Sequence, residues 1–205
     1  MELDDRELRV LGCLIEKDMT TPDYYPMSLN SMVSACNQKS NREPVVDFSE
    51  AEVIAAVDSL RERGLARTVH GKGDRVLKYK HVAGEILEVT PSQTALLAVL
   101  MLRGPQTLGE LRSRTGRYVE FDGLGAVEAE LDALARAEEP RVERLERRPG
   151  EKESRYRHLL GGTAAVLDAA PAPESAGDRV GELEEELREL RRRVARMEQE
   201  LGLSP

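Results

Sequence analysis

The chain reads as mainly α with small β-hairpins: two tandem copies of one small unit, followed by a helix of heptad character. Three observations predict this. Side-chain capping boxes open apolar runs of helical period, alternating segments fold back around turn residues, and the first half of the chain echoes the second.

Helix starts are marked by a side chain that accepts from free first-turn N–H groups, with a carboxylate or amide three positions later reaching back. Asp4 with Glu7, Ser49 with Glu52, Thr90 with Gln93 and Thr107 with Glu110 fit this pattern, and Ser28 is a weaker fifth start. Leu3 with Leu8 and Phe48 with Val53 add flanking apolar pairs that fix the direction of entry. Helices are expected over about 4–19, 28–37, 49–63, 90–103, 107–115 and 124–137. Residues 65–70 and 75–82 alternate around Gly71-Lys72-Gly73-Asp74, and 141–147 and 153–160 do so around Pro149-Gly150. Both pairs are expected as hairpins.

Val57-Asp58-Ser59-Leu60 is answered by Leu131-Asp132-Ala133-Leu134 at an offset of 74, and Tyr79-Lys80-His81-Val82 by Tyr156-Arg157-His158-Leu159 at 77. A three-residue difference in the hairpin reconciles the two. Each copy thus runs helix, helix, helix, hairpin, the order of the winged-helix variant of helix-turn-helix. The expected domains are 1–89 and 90–161, with an Ala- and Pro-rich linker over 162–178. Beyond it, Val180, Leu183, Leu187, Leu190, Val194, Met197 and Leu201 alternate spacings of three and four, the seam of a coiled coil over 179–201. In a parallel pair Arg179 meets Glu184, Glu186 meets Arg191 and Arg193 meets Glu198, all attractive, so a parallel homodimer is expected. The alternative is a single helix docked on its own chain.

With 205 residues, 40% of them hydrophobic, the chain is long enough for two small cores. No run of about 20 apolar residues is present and the first residues are acidic, so a cytoplasmic protein with no membrane contact is expected. A net charge of −8 confines any contact with a polyanion to a local patch, and 3% aromatics with no Trp speak against a base-stacking platform. Cys13 and Cys36, amid apolar helical residues, read as reduced core side chains. His70, His81 and His158 all lie on hairpins, two at equivalent repeat positions. Gly71-Lys72-Gly73 lacks the following Lys-Ser/Thr and helix start of a phosphate loop. No catalytic residue, metal or cofactor is therefore expected.

From residue 61 to 81 seven basic residues face two acidic ones, and from 141 to 157 seven face four. Such segments can hold phosphates, or can equally guard an exposed sheet edge from aggregation. The third helices of both copies instead turn carboxylates outward, Glu50, Asp58 and Glu62 in one and Glu128, Glu130 and Asp132 in the other, with few base readers. The second helix is expected to show Asn30, Ser31, Ser34 and Asn37 outward, beside Lys39, Asn41 and Arg42. The predicted interface for duplex DNA is therefore Lys39, Asn41, Arg42, Arg67, Lys72, Arg75, Lys78 and Lys80, on a non-catalytic, regulator-like dimer. The alternative is a protein-interaction adaptor without DNA contact, similar in architecture to segregation and condensation protein B.

The stretch TTPDYYPMSLNSMVSACNQKSNREPV, followed by SEAEV and LRERGL, resembles the YceH-like family of bacterial proteins of unknown function. The resemblance spans about residues 5–160 and leaves the last 44 outside it. It implies a tandem winged-helix fold and brings no substrate, cofactor or catalytic residue.

Overall fold

A computed structural model describes residues 2–70, 76–147 and 153–161. Among them seven α-helices and two small antiparallel sheets alternate: α1 (Asp5–Thr20), β1 (Met27–Ser28), α2 (Leu29–Cys36), α3 (Glu50–Glu62), β2 (Ala66–Val69), β3 (Lys78–His81), α4 (Ala83–Leu87), α5 (Pro91–Arg103), α6 (Leu108–Thr115), α7 (Leu124–Arg136), β4 (Val142–Arg144) and β5 (Tyr156–His158). The order helix, helix, helix, hairpin occurs twice. None of these helices is long and apolar enough to cross a membrane. The linker over 162–178 and the heptad seam lie outside the described residues.

The boxes at Asp4, Ser49, Thr90 and Thr107 all form, each side chain accepting from the third helical N–H while Glu7, Glu52, Gln93 or Glu110 returns to the cap N–H. Ser28 accepts from Ser31 N–H at the start of α2. Two elements have no counterpart in the sequence reading. The two residues of β1 are too few to show a period; they pair with β3, Met27 opposite Tyr79, to make a three-stranded sheet in the order β1-β3-β2. The single turn α4 starts without a side-chain cap and ends at Glu88 with φ 54°.

All described residues except Lys39–Asn41 belong to one compact unit. Its core joins the two helical groups through α1 and α5. The wholly buried Leu11 and Leu14 come from α1, and Leu96, Leu97 and Leu100 from α5. Gly12 permits this close approach, since a Cβ there would lie 2.9 Å from Leu102 Cγ. Across the unit, Leu3 N–H donates to Leu160 O at 2.8 Å and Leu3 bridges Gly161 in parallel. Asp4 thus caps α1 directly after a fixed point.

Candidate functional site

The first hairpin shows what alternation in a strand does to charge. Ala66, Thr68, Tyr79 and His81 share the inner face, where Ala66 and Tyr79 are buried. Arg67, Val69, Lys78 and Lys80 share the outer one, and Arg67 stands directly opposite Lys80. Like charges in that register oppose pairing unless an anion compensates them. Glu85 on α4 does so in part, 3.2 Å from Arg67, with both side chains more than half exposed.

At the matching register of the second hairpin Glu143 faces Arg157, and the two are bonded. Arg155 is likewise neutralised, by Glu110 at 2.7 Å. The two hairpins share antiparallel pairing and differ in electrostatics: in the second a glutamate stands opposite an arginine, whereas in the first an arginine stands opposite a lysine.

Beside that face lies an open cleft of about 460 Å³ lined by Asp18, Tyr25, Arg67, Lys80, His81 and Glu85, among others. His81 is committed on both ring nitrogens: Nε2 meets Asp18 Oδ2 at 3.0 Å, and Nδ1 accepts from Ala83 N–H at 3.3 Å. The backbone bond makes Nε2 the protonated nitrogen. Burial lowers the pKa of the imidazole, opposed by Asp18. The backbone N–H of His81 donates to Tyr25 Oη at 2.7 Å. The cleft therefore offers rim cations and no unengaged imidazole nitrogen.

The segment after α2 differs from the sequence reading. Arg42, expected on the surface, is buried with its side chain wholly covered. Its Nη2 pairs with Glu16 Oε2 at 2.5 Å and donates to Gln38 Oε1 at 2.9 Å, while Nε donates to Ala35 O at 3.0 Å. Tyr118 Oη donates to the other Glu16 oxygen at 3.2 Å. Burial alone would raise the Glu16 pKa; the charges of Arg42 and Lys17 outweigh it and bring it down to about 2. A hydrated surface arginine was the wrong expectation because a buried carboxylate on α1 claims this one. Its signal was present in the helix period: Arg9, Cys13 and Glu16 fall on one stripe of α1, interrupting its apolar face.

Asn37, also expected outward, folds back instead. Its side chain donates to Phe48 O and accepts from Phe48 N–H, both at 2.8 Å, tying together the ends of the connection to α3. Asn30, Ser31 and Ser34 are exposed as expected. Lys39 is exposed, whereas Asn41 is buried with a left-handed backbone, φ 59°. Of the eight predicted contacts the structure thus gathers Arg67, Lys78 and Lys80 on one face and removes Arg42 and Asn41 from the surface. Lys72 and Arg75 lie outside the described residues.

Comparison with known sequences adds the family. A family model described as "Protein of unknown function, DUF480" matches residues 3–151. A UPF0502 protein of Pectobacterium carotovorum is 47% identical over 207 residues, covering 98% of this chain and 97% of the relative. One from Pelobacter propionicus is 50% identical over 204 residues, covering 95% and 93%. A third, from Geobacter sulfurreducens, is 53% identical over 160 residues, covering 78% and 73%. The family model ends at residue 151, in keeping with a resemblance over about residues 5–160, while the Pectobacterium and Pelobacter matches cover 95–98% of the chain and so reach into the last 44 residues. The chain therefore belongs to the DUF480 family of bacterial proteins, together with these UPF0502 relatives.

Proposed function

We propose that this chain is a non-catalytic, tandem winged-helix protein that holds duplex DNA by its backbone, through the outer face of its first hairpin. The observation that carries the reading is the cross-strand pair Arg67 opposite Lys80, with Lys78 on the same face, where the second hairpin has Glu143 bonded to Arg157. Phosphates are the anions that such a row of cations suits, and Lys72 and Arg75 continue the same run in sequence. The exposed Glu50 and Glu62 of α3 favour backbone holding with little base readout. In this reading the heptads at 179–201 join two bodies in parallel, so that the second contact becomes effectively intramolecular.

The test titrates labelled duplex at two salt concentrations with wild type, with a variant carrying Lys72, Arg75, Lys78 and Lys80 changed to Ala, and with Arg157→Ala. The four-site variant should bind at least tenfold more weakly and lose part of the salt slope, about 0.9 per phosphate contact removed. Arg157→Ala should bind as wild type. Absence of binding at low salt, or binding that the four changes leave intact, refutes the reading.

A second reading, a winged-helix adaptor for a protein partner, is favoured by the acidic outward side of α3 and by the exposed apolar side chain of Val45, 54% exposed in the connection between α2 and α3. A partner captured equally by wild type and the four-site variant would support it.

A further inference from the structure

Four separate stretches of chain meet around the cleft beside the first hairpin: Asp18 near the end of α1, Tyr25 ahead of β1, Arg67 and Lys80 of the hairpin, and Glu85 of α4. Its volume of about 460 Å³ lies within the roughly 300–1,000 Å³ of small-molecule sites. The bonds these residues make leave much of their capacity unspent. Among the described residues His81 Nε2 takes one Asp18 oxygen, Oδ2 at 3.0 Å, and Oδ1 is left. Tyr25 Oη accepts from the His81 backbone N–H, so its own O–H remains to donate, and burial raises its pKa and keeps that proton in place. Arg67 and Glu85 meet at 3.2 Å with both side chains more than half exposed, a pair that a ligand can exchange at little cost. No carboxylate among the described residues pairs with Lys80. The opening thus carries two charges of each sign, Arg67 and Lys80 against Asp18 and Glu85, with an unspent hydroxyl among them. A doubly negative phosphate would meet both carboxylates there, and a plain amine both cations. A ligand with one charge of each sign satisfies the set, and Pro26 and Val82 add apolar surface to the same lining.

We propose that this cleft binds a free α-amino acid with an apolar side chain. Lys80 and the Tyr25 hydroxyl take its carboxylate, Asp18 takes its ammonium through the oxygen that His81 leaves, and Pro26 and Val82 receive its side chain. Charge-assisted bonds at both ends then fix the orientation of a molecule too small to be held by area alone. His81 acts as a positioning residue: bonded to Asp18 through Nε2 and to the Ala83 N–H through Nδ1, it holds the carboxylate that meets the ammonium. The cross-strand pair of the second hairpin, Glu143 bonded to Arg157, is already satisfied within itself and offers no such mixed rim.

The test titrates the full chain, without nucleic acid, with leucine, valine and methionine, and with two truncated probes: isocaproate, which is leucine without its ammonium, and isopentylamine, which is leucine without its carboxylate. Backbone amide resonances and heats of binding are followed. At least one of the three amino acids should bind saturably at millimolar concentration or below and shift the resonances of Tyr25, Val82 and Gly84, and each truncated probe should bind at least tenfold more weakly than leucine where leucine binds. Lys80→Ala should weaken the amino acid about tenfold and leave isopentylamine unchanged, whereas Asp18→Asn should weaken it as much and leave isocaproate unchanged. Arg157→Ala should bind as wild type. The proposal is overturned if none of the three amino acids binds saturably, or if the shifts fall outside the cleft. It is overturned too if isocaproate or isopentylamine binds as tightly as leucine, or if Lys80→Ala and Asp18→Asn bind the amino acid as wild type does. The series on wild type decides the matter alone where a variant does not fold. Since no nucleic acid is present, failure here leaves the hairpin reading untouched.

Discussion

Replacing Arg42 by Ala tests the buried ion pair most directly. The substitution removes the guanidinium from Glu16, Gln38 and the Ala35 carbonyl, and leaves the Glu16 carboxylate, 2% exposed, to Tyr118, to Lys17 at 3.4 Å and to the charge of Arg117. Orphaning one member of a buried pair costs about 3–5 kcal/mol. Linkage gives a similar figure: lowering the Glu16 pKa from 4.5 to about 2 corresponds to about 3 kcal/mol at ~1.4 kcal/mol per unit. For a protein of this size that is a fall in Tm of about 6–20 °C. Because the folded value lies below the unfolded one, the contribution is complete above about pH 4.5 and is lost as pH falls toward 2. Thermal melts of both proteins at pH 7 and at stepwise lower pH should therefore show a gap that narrows on acidification. Glu16→Leu combined with Arg42→Met should recover part of the loss, since no charge is then stranded. Equal melting of wild type and Arg42→Ala at pH 7, or a gap independent of pH, would refute the argument. A surface arginine serving only DNA would give that very result, with affinity changed instead.

Two further expectations concern packing and the second hairpin. Gly12→Ala gains about 1 kcal/mol of helix propensity, but the new methyl would sit 2.9 Å from Leu102 Cγ, and overpacking costs about 1–3 kcal/mol. Chemical denaturation should show a net loss of up to about 2 kcal/mol, and a gain would mean that α5 yields freely. His158 is half-buried, with Nδ1 shut off from solvent and unbonded among the described residues; burial, then Arg157, lowers its pKa to about 4. Folding favours the neutral ring, so stability is full above about pH 6.5 and declines by no more than about 3 kcal/mol as pH falls to 4. His158→Gln should flatten the denaturation profile in that window, and an unchanged profile would exclude the residue as its source.

Local signals were legible wherever chemistry and structure act over three or four residues. All four capping boxes formed because donor and acceptor are set by the helix turn itself. The inner and outer faces of the first hairpin followed from alternation, which is why Arg67, Lys78 and Lys80 come out together. What failed was tertiary in origin. The side chain of Arg42 is drawn inward by Glu16, 26 positions earlier, and no spacing rule reaches that far. Asn37 meets Phe48 across eleven positions for the same reason. The electrostatic difference between the two hairpins was written in the sequence at Glu143, yet needed the strand register to show that it answers Arg67.

The bond from Leu3 to Leu160 has a topological consequence. The two ends of the described body, Leu3 and Leu160, are therefore neighbours, with Leu3 directly ahead of the first helix. Fluorophores placed near Leu3 and Gly161 would form a short ruler that lengthens when this junction between the two ends comes apart.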